Sequence, residues 1–187
     1  MARRMATSAA WVGLPDAEVV ARVLDGDGET FAVLVERYRR AFGQYASGVC
    51  GDPDVAADAM QEAFIRAFEA LDTCRDPERF GAWFFRILTN QCHNHRTRRR
   101  VHQALETVTL TEPRSADDRL RDREIREAIA AALDELSPEQ RDAFVLREIE
   151  GRAYAEMAEL LDEREDTLRM RVHRARDAVR RRLEAIV

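Results

Sequence analysis

Residues 52–71 read DPDVAADAMQEAFIRAFEAL, and this stretch decides the fold class. Its residues Ala59, Ala63, Phe64, Ala67, Phe68 and Leu71 recur at spacings of three and four, which places them on one stripe of an α-helix. The stretch opens on Asp52-Pro53, an acid suited to cap the helix followed by a proline whose missing N–H costs nothing there. Gly51 stands where a preceding helix should stop. Behind the stripe lies a polar face of Asp58, Gln61, Glu62 and Glu69, a pattern that alone reads as a solvated surface.

The same period extends on both sides. Upstream, Phe31, Leu34, Val35, Tyr38, Phe42 and Tyr45 form one stripe; downstream, Phe80, Trp83, Phe84, Ile87 and Leu88 form another behind a second start signal at Asp76-Pro77. No alternating strand pattern occurs, so residues 15–100 are expected to form a bundle of about four helices. Across 101–123 the stripe lapses among Thr107, Thr109, Thr111, Pro113 and Ser115, which reads as a flexible linker. Helical signal returns over 124–187. Ser137-Pro138-Glu139-Gln140 carries the residues of a capping box, and its helix is expected to run to about Glu150 and stop at Gly151. A short helix with Ala155, Ala158, Leu160 and Leu161 follows. A polar turn then leads into a final helix with Leu168, Val172, Ala175, Val179 and Leu183 on one face. Short helix, turn and arginine-rich helix is the layout of a helix-turn-helix. The expected fold is all-α, with two small helical domains, 15–100 and 124–187.

Composition narrows the function classes. With 45% hydrophobic and 35% charged residues among 187, the chain can bury a core. No apolar run approaches the ~18 residues of a membrane span, so membrane insertion is not expected. Arg3 and Arg4 precede no long apolar stretch, so no signal peptide is expected. Cys50, Cys74 and Cys92 are an odd, scattered set that fits a reducing cytoplasm better than a disulfide scaffold. The net charge of −5 conceals an asymmetry. Residues 15–95 carry 14 acids and 8 arginines before four arginines in 96–100; residues 124–163 carry 12 acids and 4 arginines before 8 arginines and 4 acids in 164–187. Each basic block suits phosphate contact, or equally a solvated helix C-terminus. All basic side chains other than histidine are arginine, most simply a codon-usage effect.

Catalytic chemistry finds no support: there is no glycine-rich phosphate loop and no nucleophile elbow. Cys92-His93-Asn94-His95 invites a metal reading, but neighbours on a helix diverge and two ligands sharing a face do not make a site. No catalytic residue, metal or cofactor is expected.

Several motifs in order carry a resemblance. Gly26-Asp27 with Thr30-Phe31, then Asp58-Ala59-Met60-Gln61-Glu62-Ala63-Phe64, then Ala82-Trp83-Phe84-Phe85-Arg86-Ile87 with Asn90 and the arginine cluster, resemble region 2 of the extracytoplasmic-function sigma factors of bacterial RNA polymerase. Leu136 to Arg141, Phe144 to Gly151 and Thr167-Leu168-Arg169 with Arg171, Arg174, Ala175 and Arg176 resemble region 4 of the same group. The resemblance spans about residues 15–187 apart from the linker, and its implications are specific. Asp58, Gln61, Glu62 and Phe64 would contact core polymerase, with the ring of Phe64 itself expected to pack in the core. The loop from Thr73 through Arg75 to Arg79 would grip a flipped base of the −10 element. Trp83 would stack there or pack inward, and Arg86, Asn90, Arg96, Arg98, Arg99 and Arg100 would line the −10 DNA. Thr167, Arg169, Arg171, Arg174 and Arg176 would read the −35 element. The implied partners are core RNA polymerase, promoter DNA and an anti-sigma protein. Two other readings are a sigma-like decoy that engages an anti-sigma protein without DNA, and a stand-alone helix-turn-helix repressor. The retained arginines disfavour the first, and the polar face of 54–69 disfavours the second. The chain departs from the family at Asp162-Glu163-Arg164-Glu165-Asp166, where a glycine-containing turn is usual, and at Ala153 in place of a capping Ser or Thr.

Overall fold

The computed structural model describes residues 13–105 and 128–184, excluding the side chains of 100–105. Four helices build the first half: α1 (Asp16–Leu24), α2 (Phe31–Cys50), α3 (Pro53–Glu69) and α4 (Phe80–Leu105). The second half holds α5 (residues 128–135), α6 (Pro138–Phe144), α7 (Tyr154–Leu161) and α8 (Glu165–Glu184). No strand occurs among the described residues. The backbone of α4 continues through 101–105, five residues into the expected linker; the rest of that linker, from 106, lies outside the described residues.

The start signals act unequally. Asp52 caps α3, its carboxylate accepting from the amides of Asp54 at 2.9 Å and Val55 at 3.1 Å, with Pro53 in the first turn. Gly51 ends α2 at φ +70°, a left-handed conformation that costs glycine little. Ser137 and Gln140 complete a reciprocal capping box on α6. Asp76 caps nothing: its side chain accepts no amide, and Pro77–Arg79 form a 3₁₀ turn before α4 begins at Phe80. The helix opened by Ser137 leaves α geometry early, at Phe144. A π turn over Val145–Ile149 follows, and Gly151 at φ +70° comes just after it.

Aromatic rings fill the first core. Phe64 stacks on Phe84 with centroids 4.5 Å apart, Phe42 lies 4.8 Å from Phe85, and Tyr45 lies 4.6 Å from the same ring. Such contacts add about 0.5–1.5 kcal/mol per pair beyond area burial. Phe68 departs from its expected core place. It is 46% exposed, edge-on to Phe31, while Ala67 and Leu71 take the inward positions at the end of α3.

The two halves share that core. Val145, Leu146, Met157, Leu168 and Val172 are buried in one cluster with the residues of α2, α3 and α4. Asp142 of α6, only 6% exposed, accepts from the Tyr45 hydroxyl at 2.7 Å and meets His93 Nε2 at 3.0 Å. Burial and this neighbouring carboxylate hold the Tyr45 phenol well above its ordinary pKa, so it stays a donor. Arg152 adds a bond to the Ala41 carbonyl at 3.1 Å, and its guanidinium lies over the Phe42 ring.

Gly48 permits a close approach between the halves. A Cβ placed there would lie 2.8 Å from Val145 Cγ1 and 3.3 Å from Ile149 Cδ1. Gly48→Ala should therefore part the halves while leaving each one folded. Small-angle scattering should show a larger radius of gyration with unchanged helical circular dichroism; an unchanged radius would refute the close approach.

Candidate functional site

The polar face of α3 is narrower than its sequence suggests. Asp58 and Gln61 are exposed. Glu62 is held inward as a hub: its carboxylate takes Arg66 at 2.7 Å and His95 Nε2 at 2.7 Å, with Arg98 at 3.9 Å. The Arg66 hydrogen bond, followed by that of His95, holds the Glu62 carboxyl below its usual range. Phe64, expected among the partner contacts, is largely buried with its ring stacked on Phe84, and it reaches the floor of the adjoining groove. Beside Gln61 runs a groove of about 520 Å³ between α2 and α3, lined among others by Val35, Gly43, Ala46, Met60, Phe64 and Ile65. Sequence reasoning missed Ile65. It falls outside the stripe register at 50% exposure, and an isoleucine off-register on a polar face was the available signal.

The second residue set is divided. Thr73, Arg75 and Arg79 are exposed on the turns between α3 and α4, with the Thr73 hydroxyl donating to the Ala70 carbonyl at 2.7 Å. Trp83 is half-buried, its ring 5.4 Å from Phe80. Arg86 and Asn90 are exposed on α4, but Arg86 pairs with Asp162 of the other half at 2.7 Å. Arg98 is exposed, and Arg99 reaches Asp52 at 2.8 Å. Arg96 does not join this surface. It is 8% exposed, donates to the Val49 carbonyl at 2.7 Å and pairs with Asp134 of α5. It caps the end of α2 and bridges to the second half, so in this arrangement it cannot meet a phosphate. The Arg100 side chain lies outside the described residues.

On α8, Leu168, Val172 and Ala175 face inward and leave the arginines outward. Most of these are already neutralised. Arg169 pairs with Glu165 at 2.7 Å and Asp166 at 3.1 Å, and lies 4.9 Å from the centroid of the Tyr154 ring, as does Arg147. Arg171 pairs with Glu163 at 2.8 Å, and Arg176 with Glu148 at 2.7 Å. Arg174 is exposed and forms no ion pair among the described residues. Thr167, at the start of the helix, is half-buried. The turn expected to need glycine instead uses Asp162 at φ +52°. Ala153 offers no side-chain cap to α7, but Glu156 accepts the Ala153 amide at 3.0 Å and supplies half of a capping box.

The described residues thus carry one apolar groove beside exposed polar residues of α3, and two arginine-bearing surfaces. Among the described residues no group of histidines, cysteines and acids is placed to hold a metal, and no helix is long and apolar enough to cross a membrane. Residues 34–101 match the model of sigma-70 region 2, and residues 126–179 match that of sigma-70 region 4. The ECF RNA polymerase sigma-E factor of Escherichia coli K12 is 30% identical over 186 residues, covering 93% of this chain and 97% of the relative. Its counterpart in Haemophilus influenzae is 27% identical, covering 93% of this chain and 98% of that one. Among solved structures, CnrH in complex with the cytosolic domain of CnrY superposes with a TM-score of 0.63 at 26% identity, covering 92% of this chain and 99% of that chain. The sigma factor RpoE in complex with the anti-sigma factor NepR from Bartonella quintana gives 0.52 at 23% identity, covering 82% and 96%, and shares the fold.

The Glu62 hub has a measurable pH signature. Because its carboxyl is depressed in the folded chain, its stabilisation is present above the unfolded value and lost as pH falls through the folded one. Wild type should exceed Glu62→Gln in urea midpoint at neutral pH, and the difference should shrink below about pH 4.5. A difference that persists unchanged in acid would show that the carboxylate charge is not what matters.

Proposed function

The chain belongs to the extracytoplasmic-function sigma factors, and we propose that it acts as a non-enzymatic initiation factor in the cytoplasm. It binds core RNA polymerase and directs transcription to promoters by recognising −35 and −10 elements and assisting melting of the latter. The observation that carries this reading is the likeness to sigma-E factors along nearly the whole chain, with both region models matched in order.

The surfaces divide the work. Asp58, Gln61 and the adjoining α2–α3 groove with Ile65 take the polymerase, Glu62 acting from behind as the hub that fixes this face. Thr73, Arg75, Arg79, Arg86, Asn90, Arg98 and Arg99 serve the −10 strand, where phosphate contacts position and a flipped base specifies. Thr167, Arg169, Arg171, Arg174 and Arg176 serve the −35 major groove. The docked arrangement is a resting state in this reading: Asp162 and Asp134 occupy Arg86 and Arg96, and an anti-sigma protein would hold the halves in it. Engaging both elements on polymerase requires the halves to part, after which tethering raises the effective concentration of each domain at its site.

Run-off transcription with core polymerase and genomic promoter fragments tests the reading. Promoter-specific transcripts are expected; no transcript together with no core binding would reject it. In pull-down, Asp58→Arg with Gln61→Arg should weaken core capture with little loss of stability, since exposed substitutions usually stay within about 0.5 kcal/mol. Retention equal to wild type would move the polymerase contact elsewhere. Glu165→Gln with Asp166→Asn should release Arg169, strengthen −35 duplex binding and steepen its salt dependence, whereas Arg174→Ala should weaken binding. Titrations at two salt concentrations check both, and no change from either refutes the assignment on α8.

A further inference from the structure

Of the exposed side chains on α8, only Met170 is apolar; it is 55% open to solvent, and the others are charged or histidine. Residues two apart on a helix stand about 200° from each other around its axis. Met170 comes two residues after Leu168 and two before Val172, so it points away from the buried stripe that those residues form. Its neighbours leave it uncovered. Arg169 is drawn onto Glu165, Asp166 and the Tyr154 ring, and Arg171 folds back to Glu163 in a half-buried position. His173, one turn on, is turned to Asp177 at 3.2 Å. Arg174, four residues on, shares the outward face and forms no ion pair among the described residues.

Single apolar residues are ordinary on a protein surface, and place is what distinguishes this one. Met170 belongs to neither apolar cluster of the described residues, so the fold makes little use of it. It has no charge to offer a phosphate, and a thioether is only a weak hydrogen-bond acceptor. In a helix-turn-helix the first turns of the second helix go to the base edges, and Met170 stands in the second turn of α8, which begins at Glu165. The apolar group that a major groove offers there is the C5-methyl of thymine, which no other base carries. A long, unbranched and polarisable side chain is suited to reach it and pack on it.

We propose that Met170 is a specificity-determining residue that reads thymine in the duplex, an assignment that rests on the −35 role proposed for α8. Its side chain packs on a thymine methyl in the major groove and selects T·A over the other base pairs at that position. The arginines around it cannot supply this preference, because a guanidinium fork finds its matched acceptors on guanine or on phosphate. Met170 adds nothing to nonspecific affinity, since it neutralises no phosphate. The helix thus divides its contacts between charge, held by the arginines, and shape, held by one methionine at its outermost point.

Holoenzyme assembled from core polymerase and the full-length chain, used to select from promoter duplexes randomised across the −35 element, tests this. Wild type should enrich thymine at one position or more. Met170→Ala should lose that preference and keep the rest of the motif, whereas Met170→Leu should retain it. Replacing the selected thymine by deoxyuridine, which lacks only the methyl, should weaken wild-type binding about fourfold, the worth of one buried methyl-sized group. Met170→Ala should bind both duplexes alike, with the salt dependence of wild type. The deoxyuridine comparison on wild type stands without any variant. A selected motif with no thymine, no loss on deoxyuridine, equal loss in wild type and Met170→Ala, or a loss in Met170→Ala that is uniform across sequences would overturn the proposal. Selection of no −35 sequence at all would instead remove the −35 role of α8, and the assignment of Met170 with it.

Discussion

A carboxylate buried between two helical domains must meet donors or it destabilises whatever it joins. Asp142 meets them in Tyr45 and His93, both from the opposite half, so α6 can sit against α2 and α4 in only one register. The surrounding apolar contacts are non-directional and would tolerate sliding; these two bonds do not. The remaining interface, including Val145 over Gly48 and Arg152 over Phe42, takes its place around that fixed point. The residues that this docking conceals and those that it leaves outward are therefore consequences of one acid.

Much of the fold was legible because its signals are local. Asp52-Pro53, Gly51 and Ser137 to Gln140 act within one turn of themselves, and each does in the structure what its chemistry suggests. Asp76-Pro77 carries the same letters as Asp52-Pro53 but opens a 3₁₀ turn, because the backbone of Asp76 does not bring its carboxylate under the following amides. Phe68 fits a helical stripe by spacing, yet α3 ends just beyond it, and Ala67 and Leu71 close the core instead. Exposure was legible in the sequence at Asp58, Gln61 and Arg174. The surroundings of Glu62 and Arg96 were illegible, because they come from a second helix or from the other half of the chain, whereas the inward ring of Phe64 follows from its stripe. Arg96 belongs to a run of arginines that looks uniform in sequence; only the end of α2 and the acid of α5 single it out.

The acids spread around α8 suggest how a strongly basic helix stays selective. Each arginine held by a neighbouring carboxylate must exchange that partner for a phosphate or a base edge, so the net gain from nonspecific backbone contact is small. A base edge that accepts a planar fork in good geometry can outweigh such a pair. Arg169 gains further definition from Tyr154, whose ring it shares with Arg147, so its guanidinium is partly oriented before any ligand arrives. On the proposed −35 role of α8, the acidic turn costs affinity and sharpens discrimination.

Arg141 carries a different kind of consequence. Its guanidinium, 4% exposed, donates to the Leu133 carbonyl at 2.8 Å and the Leu136 carbonyl at 3.0 Å, closing the end of α5 from within α6. A helix end is ordinarily the first turn to fray. Here the C-terminal end of α5 is riveted to α6, so the corner between the two helices is a fixed angle rather than a hinge.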